Sequence, residues 1–208
     1  MAGDVHGDIA GRDRILHSCQ TGKPELLIIC GDVTNFGPAS FVEDFISLSG
    51  IRTLAVPGNC DTDGVVEAMD RDPWSNIHGK VVEVDGWHFF GRGGAGRRSQ
   101  SRALQAKFDL DDMVALVEDI PEDRLVLVLH EPPRGHLDSP SPGTHVGSRM
   151  LAELVSRTSP ALVLSAHIHE NPGIERSGGT LFVNPGPALD GNVVMVELDT
   201  KEPRARRL

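Results

Sequence analysis

The 208-residue sequence has only three cysteines, Cys19, Cys30 and Cys60, and no hydrophobic run long enough to cross a bilayer. Three scattered cysteines are too few for a disulfide framework. A membrane-spanning helix needs roughly 20 consecutive apolar residues, and the N-terminal residues also lack the apolar core of a signal peptide. These absences predict a cytoplasmic protein that does not bind membranes.

Basic residues are also in the minority, since the formal net charge is -10. General nucleic-acid binding normally needs a basic face, so the charge balance argues against it. A small phosphate ester or a nucleotide remains a suitable substrate, because bound divalent cations can invert the sign of a carboxylate-lined site. The sequence carries no signal for the oligomeric state.

Hydrophobic content of 39% predicts one globular domain over 1–200, with a frayed basic tail over 201–208. Strands that alternate with helices, followed by hairpins, indicate an α/β fold with mixed sheets. One hairpin turn is marked by Asp85-Gly86. The apolar runs predict strands at 25–30, 51–56, 80–84, 87–90, 124–130, 161–167, 173–176, 180–184 and 193–198, and the spacing predicts helices at 8–20, 39–48, 64–69, 110–118 and 146–156.

Polar residues that can ligate metals stand at or just past the carboxyl ends of the four strands that alternate with helices. In open α/β sheets ligands bind at these ends, so residues far apart in sequence are expected to converge. A further pair, Asp4-x-His6, stands at the start of the chain. The candidate set is Asp4, His6, Asp32, Asn59, His130, His167 and His169.

Mixed oxygen and imidazole ligands suit Mn, Fe, Zn, Co or Ni in a reactive site better than a structural zinc. Seven side chains are too many for one tetrahedral ion, but they suit two ions that share a carboxylate. Two ions about 3.5–4 Å apart can hold a hydroxide and clamp a phosphoryl group. The prediction is therefore a site for two divalent metal ions, with Mn²⁺ preferred.

The motifs resemble those of the calcineurin-like metallophosphoesterase superfamily. Its pattern of D-x-H, G-D, G-N-H-[DE], a lone His and G-H-x-H is matched in order by Asp4-Val5-His6, Gly31-Asp32, Gly58-Asn59-Cys60-Asp61, His130 and Ala166-His167-Ile168-His169. The stretch from His130 to Leu151 is most similar to the small archaeal and bacterial branch of Icc-like predicted phosphohydrolases. The resemblance implies a four-layer αββα sandwich of two mixed β-sheets.

The resemblance also implies a role for each ligand. Asp4, His6 and His169 would bind the first ion, Asn59, His130 and His167 the second, and Asp32 would bridge them. The implied reaction is attack on a phosphate ester by a hydroxide held between the metals.

Cys60 departs from the family pattern, because many members carry a histidine there that helps the leaving group depart. A thiol is a poor proton donor at neutral pH, and a diester with a good leaving group needs an acid least, so phosphodiesters are the favoured substrates. His136 and His145 are candidate replacements for the acid, and ordinary loop histidines are the alternative. The candidate catalytic residues are Asn59, Cys60, Asp61, His136 and His145. Ala166 replaces a family glycine, which a negative φ would permit.

The second departure is a truncated first strand, since only Met1-Ala2-Gly3 precede Asp4. Family members have an apolar strand there, so the sequence predicts a polypeptide that starts late and an open groove beside 25–30. Asp4 and His6 are expected to be held less rigidly than the other ligands, and the first ion to bind more weakly.

A glycine-rich run over 91–98 follows a predicted strand but lacks the Lys-Ser/Thr of a P-loop. A mobile loop is one interpretation, and steering of an anionic substrate by Arg92, Arg97 or Arg98 is the other. For the whole chain, the alternative to an enzyme is a catalytically weak scaffold that resembles phosphoesterases and binds a protein partner. Retention of His6, His130, His167 and His169 favours the enzyme.

Overall fold

The computed structural model describes residues 1–96, 99–105, 108–198 and 202–208. The helices in these ranges are α1 (Ile9–Gly22), α2 (Ala39–Ser49), α3 (Asp63–Ala68), α4 (Arg102–Gln105), α5 (Leu110–Val117) and α6 (Arg149–Thr158). The strands are β1 (Leu27–Cys30), β2 (Thr53–Val56), β3 (Trp74–Asn76), β4 (Val81–Val84), β5 (Trp87–Arg92), β6 (Leu125–Leu129), β7 (Leu162–Leu164), β8 (Gly173–Ser177), β9 (Thr180–Asn184), β10 (Val194–Glu197) and β11 (Arg204–Arg207).

The first sheet has the order β1-β2-β3, and its strands are parallel. Every residue of β1 and β2 is buried, as expected for short apolar strands that are covered on both faces. Leu27 pairs with Thr53 and Cys30 with Val56, so β1 and β2 end at the same edge. That edge carries the Gly31-Asp32 and Pro57-Gly58-Asn59 turns.

The second sheet has the order β4-β5-β6-β7-β9-β8. Its four inner strands are parallel, and an antiparallel hairpin closes each side, which makes the sheet mixed. The β4-β5 turn has positive φ at both Asp85 and Gly86, as expected for a two-residue hairpin of this sequence. The predicted strands and the Asp85-Gly86 turn are therefore confirmed.

Three apolar clusters separate the layers. One fills the space between the sheets with side chains such as Ile28, Val56, Phe89, Val128 and Leu164. A second joins the first sheet to α1, α2 and α3, and a third joins the second sheet to α5 and α6. Alternate residues of β6 belong to different clusters, since successive side chains of a strand point to opposite faces. The order helix, sheet, sheet, helix is the predicted αββα sandwich.

The first strand is reduced to one bridge. Ala2 pairs in parallel with Ile29, while the Met1 amino group donates to the Val194 carbonyl at 2.7 Å. Met1 therefore lies between β1 and β10. Beside it a cavity of about 750 Å³ opens, lined on one side by 22–28 and on the other by 193–198. The predicted groove beside 25–30 is present.

The structure adds elements that the sequence pattern did not predict, namely β3, α4 and β11. The last of these corrects the expectation of a frayed tail, because Arg204–Arg207 pairs antiparallel with β10. Arg206 and Arg207 are exposed, and the strand is held by its backbone ladder with β10 and by Ala205, which packs against the core between the sheets. Within the described residues, no helix has both the length and the apolar character that a membrane crossing requires.

Candidate metal centre

The carboxyl edge of the two sheets gathers every predicted ligand. Asp32 follows β1, Asn59 follows β2, His130 follows β6, and His167 and His169 follow β7. Asp4 and His6 reach the same edge because their segment runs along the turn after β1, where the backbone N–H groups of Asp4 and His6 donate to the Gly31 and Asp32 carbonyls. Parallel strand ends and one adjacent loop thus bring together side chains that lie up to 165 positions apart in sequence, from Asp4 to His169.

The first cluster consists of Asp4, His6 and His169. His6 Nε2 lies 3.3 Å from His169 Nε2, and His169 Nε2 lies 3.6 Å from Asp4 Oδ2. The potential ligand atoms of the three residues all lie within 4.8 Å of one another. Two imidazole nitrogens facing each other beside a carboxylate need a proton or a cation between them.

The second cluster consists of Asp32, His130 and His167, whose ligand atoms also lie within 4.8 Å of one another. His130 Nδ1 lies 2.8 Å from the Cys30 carbonyl oxygen, which only accepts, so Nδ1 carries the proton and Nε2 is left as the ligand atom. Asn59 Oδ1 lies 3.0 Å from that Nε2. Asn59 therefore belongs with this cluster.

Asp32 stands between the two clusters. Its Oδ2 lies 3.9 Å from His6 Nε2, and its Oδ1 lies 3.6 Å from His130 Nε2. The Cys60 backbone N–H donates to Oδ1 at 2.8 Å and fixes the carboxylate. One oxygen facing each cluster is the geometry that a bridging carboxylate requires.

Glycines make this close packing possible. A Cβ at Gly58 would lie 2.0 Å from Asp32 Oδ1, and a Cβ at Gly31 would lie 2.6 Å from His130 Nδ1. Gly3 similarly leaves room for Ala166, whose Cβ would be 2.7 Å from a Cβ at position 3. Ala166 is not among the residues with positive φ, so alanine is accommodated where the family usually has glycine, as predicted.

The electrostatics of the cluster favour cation binding. Burial acts to raise the pKa of Asp4, but the hydrogen bond with His169 and the charges of His130 and His6 hold that pKa below its usual value. Burial lowers the pKa of His167 to about 4, and His130 acts in the same direction. Asp4 is therefore a carboxylate and His167 a neutral imidazole at neutral pH, the forms that bind metals.

One buried atom tests whether metal ions fit. Asp4 is completely buried, and its Oδ2 accepts from the His167 N–H at 2.9 Å. Its Oδ1 is buried without a hydrogen-bond partner among the described residues. An unpaired buried carboxylate oxygen is costly unless a cation contacts it, so the residues present fit a divalent ion at the first cluster.

Asp4 is also held more firmly than predicted. Its burial and its hydrogen bonds contradict the expectation of a loosely held side chain at the start of the chain. The two clusters still differ in exposure, because the His169 side chain is 36% exposed and the His130 side chain is fully buried. Weaker binding of the first ion stays a prediction, and exposure replaces loose anchoring as its reason.

Cys60 and Asp61 are neighbours in sequence but differ in role. The Cys60 thiol, His6 and Asp32 form a third group of close ligand atoms, and burial together with Asp32 raises the pKa of this thiol to about 12. Asp61 is completely buried and accepts hydrogen bonds from the backbone of Gly58, Val33 and Thr34 and from the Thr34 hydroxyl. These hydrogen bonds occupy its oxygens and support a role for Asp61 in organising the two turns, and its catalytic role stays a prediction.

The structure does not place His136 or His145 in any of the three groups. The His136 ring stacks on Phe182 with 3.9 Å between ring centroids, and its Nδ1 lies 2.8 Å from Glu175 Oε1. His145 Nδ1 lies 2.6 Å from Asp138 Oδ1. These contacts hold the loop between β6 and α6 in place. They do not support the prediction that either histidine replaces the proton donor that the family carries at the position of Cys60.

The described part of the glycine-rich run, residues 91–96, packs beside the Pro57-Gly58-Asn59 turn. Gly93, Gly94 and Ala95 are buried, and the Gly94 N–H donates to the Pro57 carbonyl at 2.9 Å. The Arg92 side chain is bound to the Gly93 carbonyl and lies over Phe108, so it is not free to steer a substrate. Arg97 and Arg98, the other predicted steering residues, lie outside the described residues.

Comparison with known proteins decides the family. Residues 40–208 match the family model described as metallophosphoesterase, calcineurin superfamily. The chain belongs to this superfamily. The protein MJ1162 of Methanocaldococcus jannaschii is 29% identical over 188 residues, which cover 84% of this chain and 85% of the relative.

Two solved structures show the same fold. The protein TT1561 of Thermus thermophilus has a TM-score of 0.74 at 18% identity, with 99% of this chain and 96% of the other covered. A protein described as a novel archaeal phosphodiesterase has a TM-score of 0.59 at 17% identity, with 100% and 97% covered. The predicted superfamily and fold are confirmed, and the metallophosphoesterase family supports metal-dependent hydrolysis of phosphoesters by this chain.

Proposed function

We propose that the protein hydrolyses phosphate esters, preferentially phosphodiesters, with two divalent metal ions held at the candidate centre. Asp4, His6 and His169 would hold one ion, and Asn59, His130 and His167 the other. The observation that supports this most directly is the position of Asp32, with one carboxylate oxygen towards each cluster. Mn²⁺ is the preferred ion, because oxygen and imidazole donors suit it.

The protein's own residues prepare the centre for this chemistry. When bound there, two such ions lower the pKa of water and neutralise charge on the phosphoryl oxygens. The Cys30 carbonyl fixes the tautomer of His130, and the Cys60 N–H fixes the Asp32 carboxylate. Such preorganised groups stabilise charge without reorganising during the reaction.

Cys60 favours esters that have a good leaving group. With its pKa raised to about 12, the thiol is a much weaker proton donor than an imidazolium near neutral pH. A substrate whose leaving group departs without protonation depends least on such a donor. Aryl phosphate esters meet this condition, and the structural neighbour described as an archaeal phosphodiesterase supports the choice of diesters among them.

The test is hydrolysis by metal-free protein titrated separately with Mn²⁺, Ni²⁺, Zn²⁺ and Mg²⁺. We expect turnover of bis(4-nitrophenyl) phosphate with Mn²⁺, and slower turnover of 4-nitrophenyl phosphate. His130→Ala should reduce the rate at least 100-fold, since it removes a buried ligand. His17→Ala is the matched control, because His17 is an exposed residue of α1.

The scaffold that binds a protein partner is the second candidate. Absence of turnover with every ion, or turnover that survives unchanged in His130→Ala, would favour it and end the enzyme proposal. What favours the enzyme is the retention of every metal-competent side chain together with the unpaired Asp4 Oδ1. A scaffold needs no buried atom of that kind.

A further inference from the structure

Phe36 is an exposed aromatic residue in the turn that follows Asp32. Its side chain is 59% exposed, and its φ of 54° lies in the left-handed region. An aromatic residue is disfavoured there, because its Cβ crowds the backbone. The glycine of this turn, Gly37, stands one position later, so the left-handed conformation falls on the aromatic residue.

The backbone beneath the ring is held in place. The Phe36 N–H donates to the Cys60 carbonyl at 3.2 Å. Upstream in the same turn, the backbone N–H groups of Val33 and Thr34 donate to the buried Asp61 carboxylate. Phe36 is therefore an exposed ring on an anchored turn.

The backbone of Phe36 lies next to the candidate centre. Its N–H donates to the carbonyl of Cys60, and the Cys60 thiol belongs to a group of close ligand atoms with His6 and Asp32. The loop that carries His6 runs alongside the same turn, since the Gly7 N–H donates to the Val33 carbonyl at 2.9 Å. The turn that carries the exposed Phe36 side chain thus borders the candidate centre.

We propose that Phe36 is a substrate-binding platform on which a planar ring of the ester's organic group stacks. This inference rests on the proposed function, because it takes the phosphate to be at the metal centre. The recognised chemistry is a flat π-face, which an aryl group and a nucleobase share. Selectivity for ring-bearing esters would come from this contact.

Calorimetric binding to the Mn²⁺-loaded protein tests the platform with two matched pairs of ligands. AMP against ribose 5-phosphate differs in the base, and phenyl phosphate against methyl phosphate differs in the aryl ring. Base–aromatic stacking is worth roughly 5- to 150-fold in affinity. Since Phe36 is exposed, we expect the ring-bearing ligand of each pair to bind about tenfold more tightly than the ligand without a ring. The pair with the larger affinity ratio identifies the preferred ring.

Variants separate stacking from folding. Phe36→Ala and Phe36→Gly should bring the affinity ratio close to one, while Phe36→Trp should maintain or increase it. Phe36→Gly should also leave the melting temperature equal or higher, because glycine tolerates positive φ. Leu48→Ala is the matched control, since it removes another exposed apolar side chain, one that lies on α2.

The two possible failures are distinguishable. A wild-type ratio near one in both pairs, or a ratio that Phe36→Ala and Phe36→Gly leave unchanged, overturns the platform even if the protein hydrolyses diesters. Absence of turnover with every metal overturns the proposed function, whereas calorimetry reports on stacking without any turnover.

Discussion

Single residues at the candidate centre accept unfavourable backbone conformations. Asp4, His6, Asp32 and His167 all have positive φ, between 49° and 69°. Such conformations persist where the surroundings over-determine them, and they concentrate at functional sites. Here the backbone of Gly58 packs directly against the Asp32 carboxylate, and that of Gly31 against the His130 ring, because neither glycine has a side chain.

Gly58→Ala tests how tightly Asp32 is packed. The new Cβ would lie 2.0 Å from Asp32 Oδ1 and would push the carboxylate away from both clusters. We expect Mn²⁺ affinity to fall at least tenfold and diester hydrolysis at least 100-fold, measured by calorimetry and initial rates.

Gly64→Ala is the matched control for this change. It lies in α3, where the nearest atom to a new Cβ is 3.9 Å away. Normal metal affinity in Gly58→Ala would show that Asp32 does not serve both clusters.

Asp61→Asn distinguishes an organising role from a catalytic one. One amide N–H₂ would face backbone N–H groups that now donate to a carboxylate. Leaving such buried donors unsatisfied costs about 1–3 kcal/mol, and we expect urea unfolding to show a loss of that size. Unchanged stability with lost activity would instead support the catalytic role predicted from the sequence.

At the scale of elements, the gap between β1 and β10 divides the strands of the first layer into two separate groups. The described strands give six in the second sheet, but three in the β1-β2-β3 sheet and two in the β10-β11 pair. Met1 and Ala2 span this gap. The Ala2 N–H donates to the Ile28 carbonyl on one side, and Met1 exchanges two hydrogen bonds with Val194 on the other. Burial lowers the pKa of the Met1 amino group, because a charged amine is unfavourable in these apolar surroundings.

An apolar extension before Met1 should stabilise the protein. Five added residues such as Val-Val-Ile-Val-Gly would replace the buried amine with a peptide N–H and fill part of the 750 Å³ cavity. Each buried aliphatic side chain contributes about 1.5–3 kcal/mol before ordering costs. We expect the melting temperature to rise by roughly 5 °C, which corresponds to about 2 kcal/mol at this length.

A Gly-Ser extension of equal length is the control, because it supplies backbone without apolar side chains. Equal melting temperatures for the two extended proteins would mean that the cavity does not accept a strand.

At the scale of the whole molecule, the protonation of His78 contributes to how stability responds to pH. Burial lowers the pKa of His78 to about 4, with Arg92 and Lys80 acting in the same direction. Its Nδ1 accepts from the Gly93 N–H at 2.9 Å, which ties the segment before β4 to the loop beside the candidate centre. The folded protein therefore needs His78 neutral.

The sign of the pH effect follows from this. An unfolded histidine protonates near pH 6.5, whereas folded His78 resists protonation down to about pH 4. The stability it contributes is complete above about pH 6.5 and is lost as the pH falls towards 4, by roughly 3 kcal/mol at most. Asp61 acts oppositely, because burial and Asp32 raise its pKa to about 6 and favour folding as the pH falls through that value.

His78→Asn isolates the histidine. Asparagine keeps an acceptor for the Gly93 N–H and does not protonate. The free energy of unfolding of the variant should therefore decline less between pH 7 and pH 4 than that of the wild-type protein. We expect the losses of unfolding free energy of the two proteins between pH 7 and pH 4 to differ by about 2–3 kcal/mol, measured by urea unfolding of metal-free protein. Parallel pH curves for the two proteins would rule out His78 as the titrating group.

The sequence by itself predicted most of the strand-and-helix order, apart from β3, α4 and β11, and it predicted seven candidate metal ligands that the structure brings together at one edge. Continuous apolar runs mark strands that are covered on both faces, and parallel strands end at a common edge, so residues that follow those ends must meet. Five of the candidates could be singled out because each follows a strand end within a few positions. Asp4 and His6 could be singled out by their D-x-H spacing.

Only the tertiary structure decided the residues whose partners come from other loops. His136 and His145 also follow a strand, but contacts with Phe182, Glu175 and Asp138 direct them elsewhere. Asp61 turns inward although Cys60 beside it lies at the centre, and Phe36 became notable only through its contact with Cys60. The physical reason is that a loop's path depends on contacts distant in sequence, whereas a strand's end is fixed by its own apolar pattern.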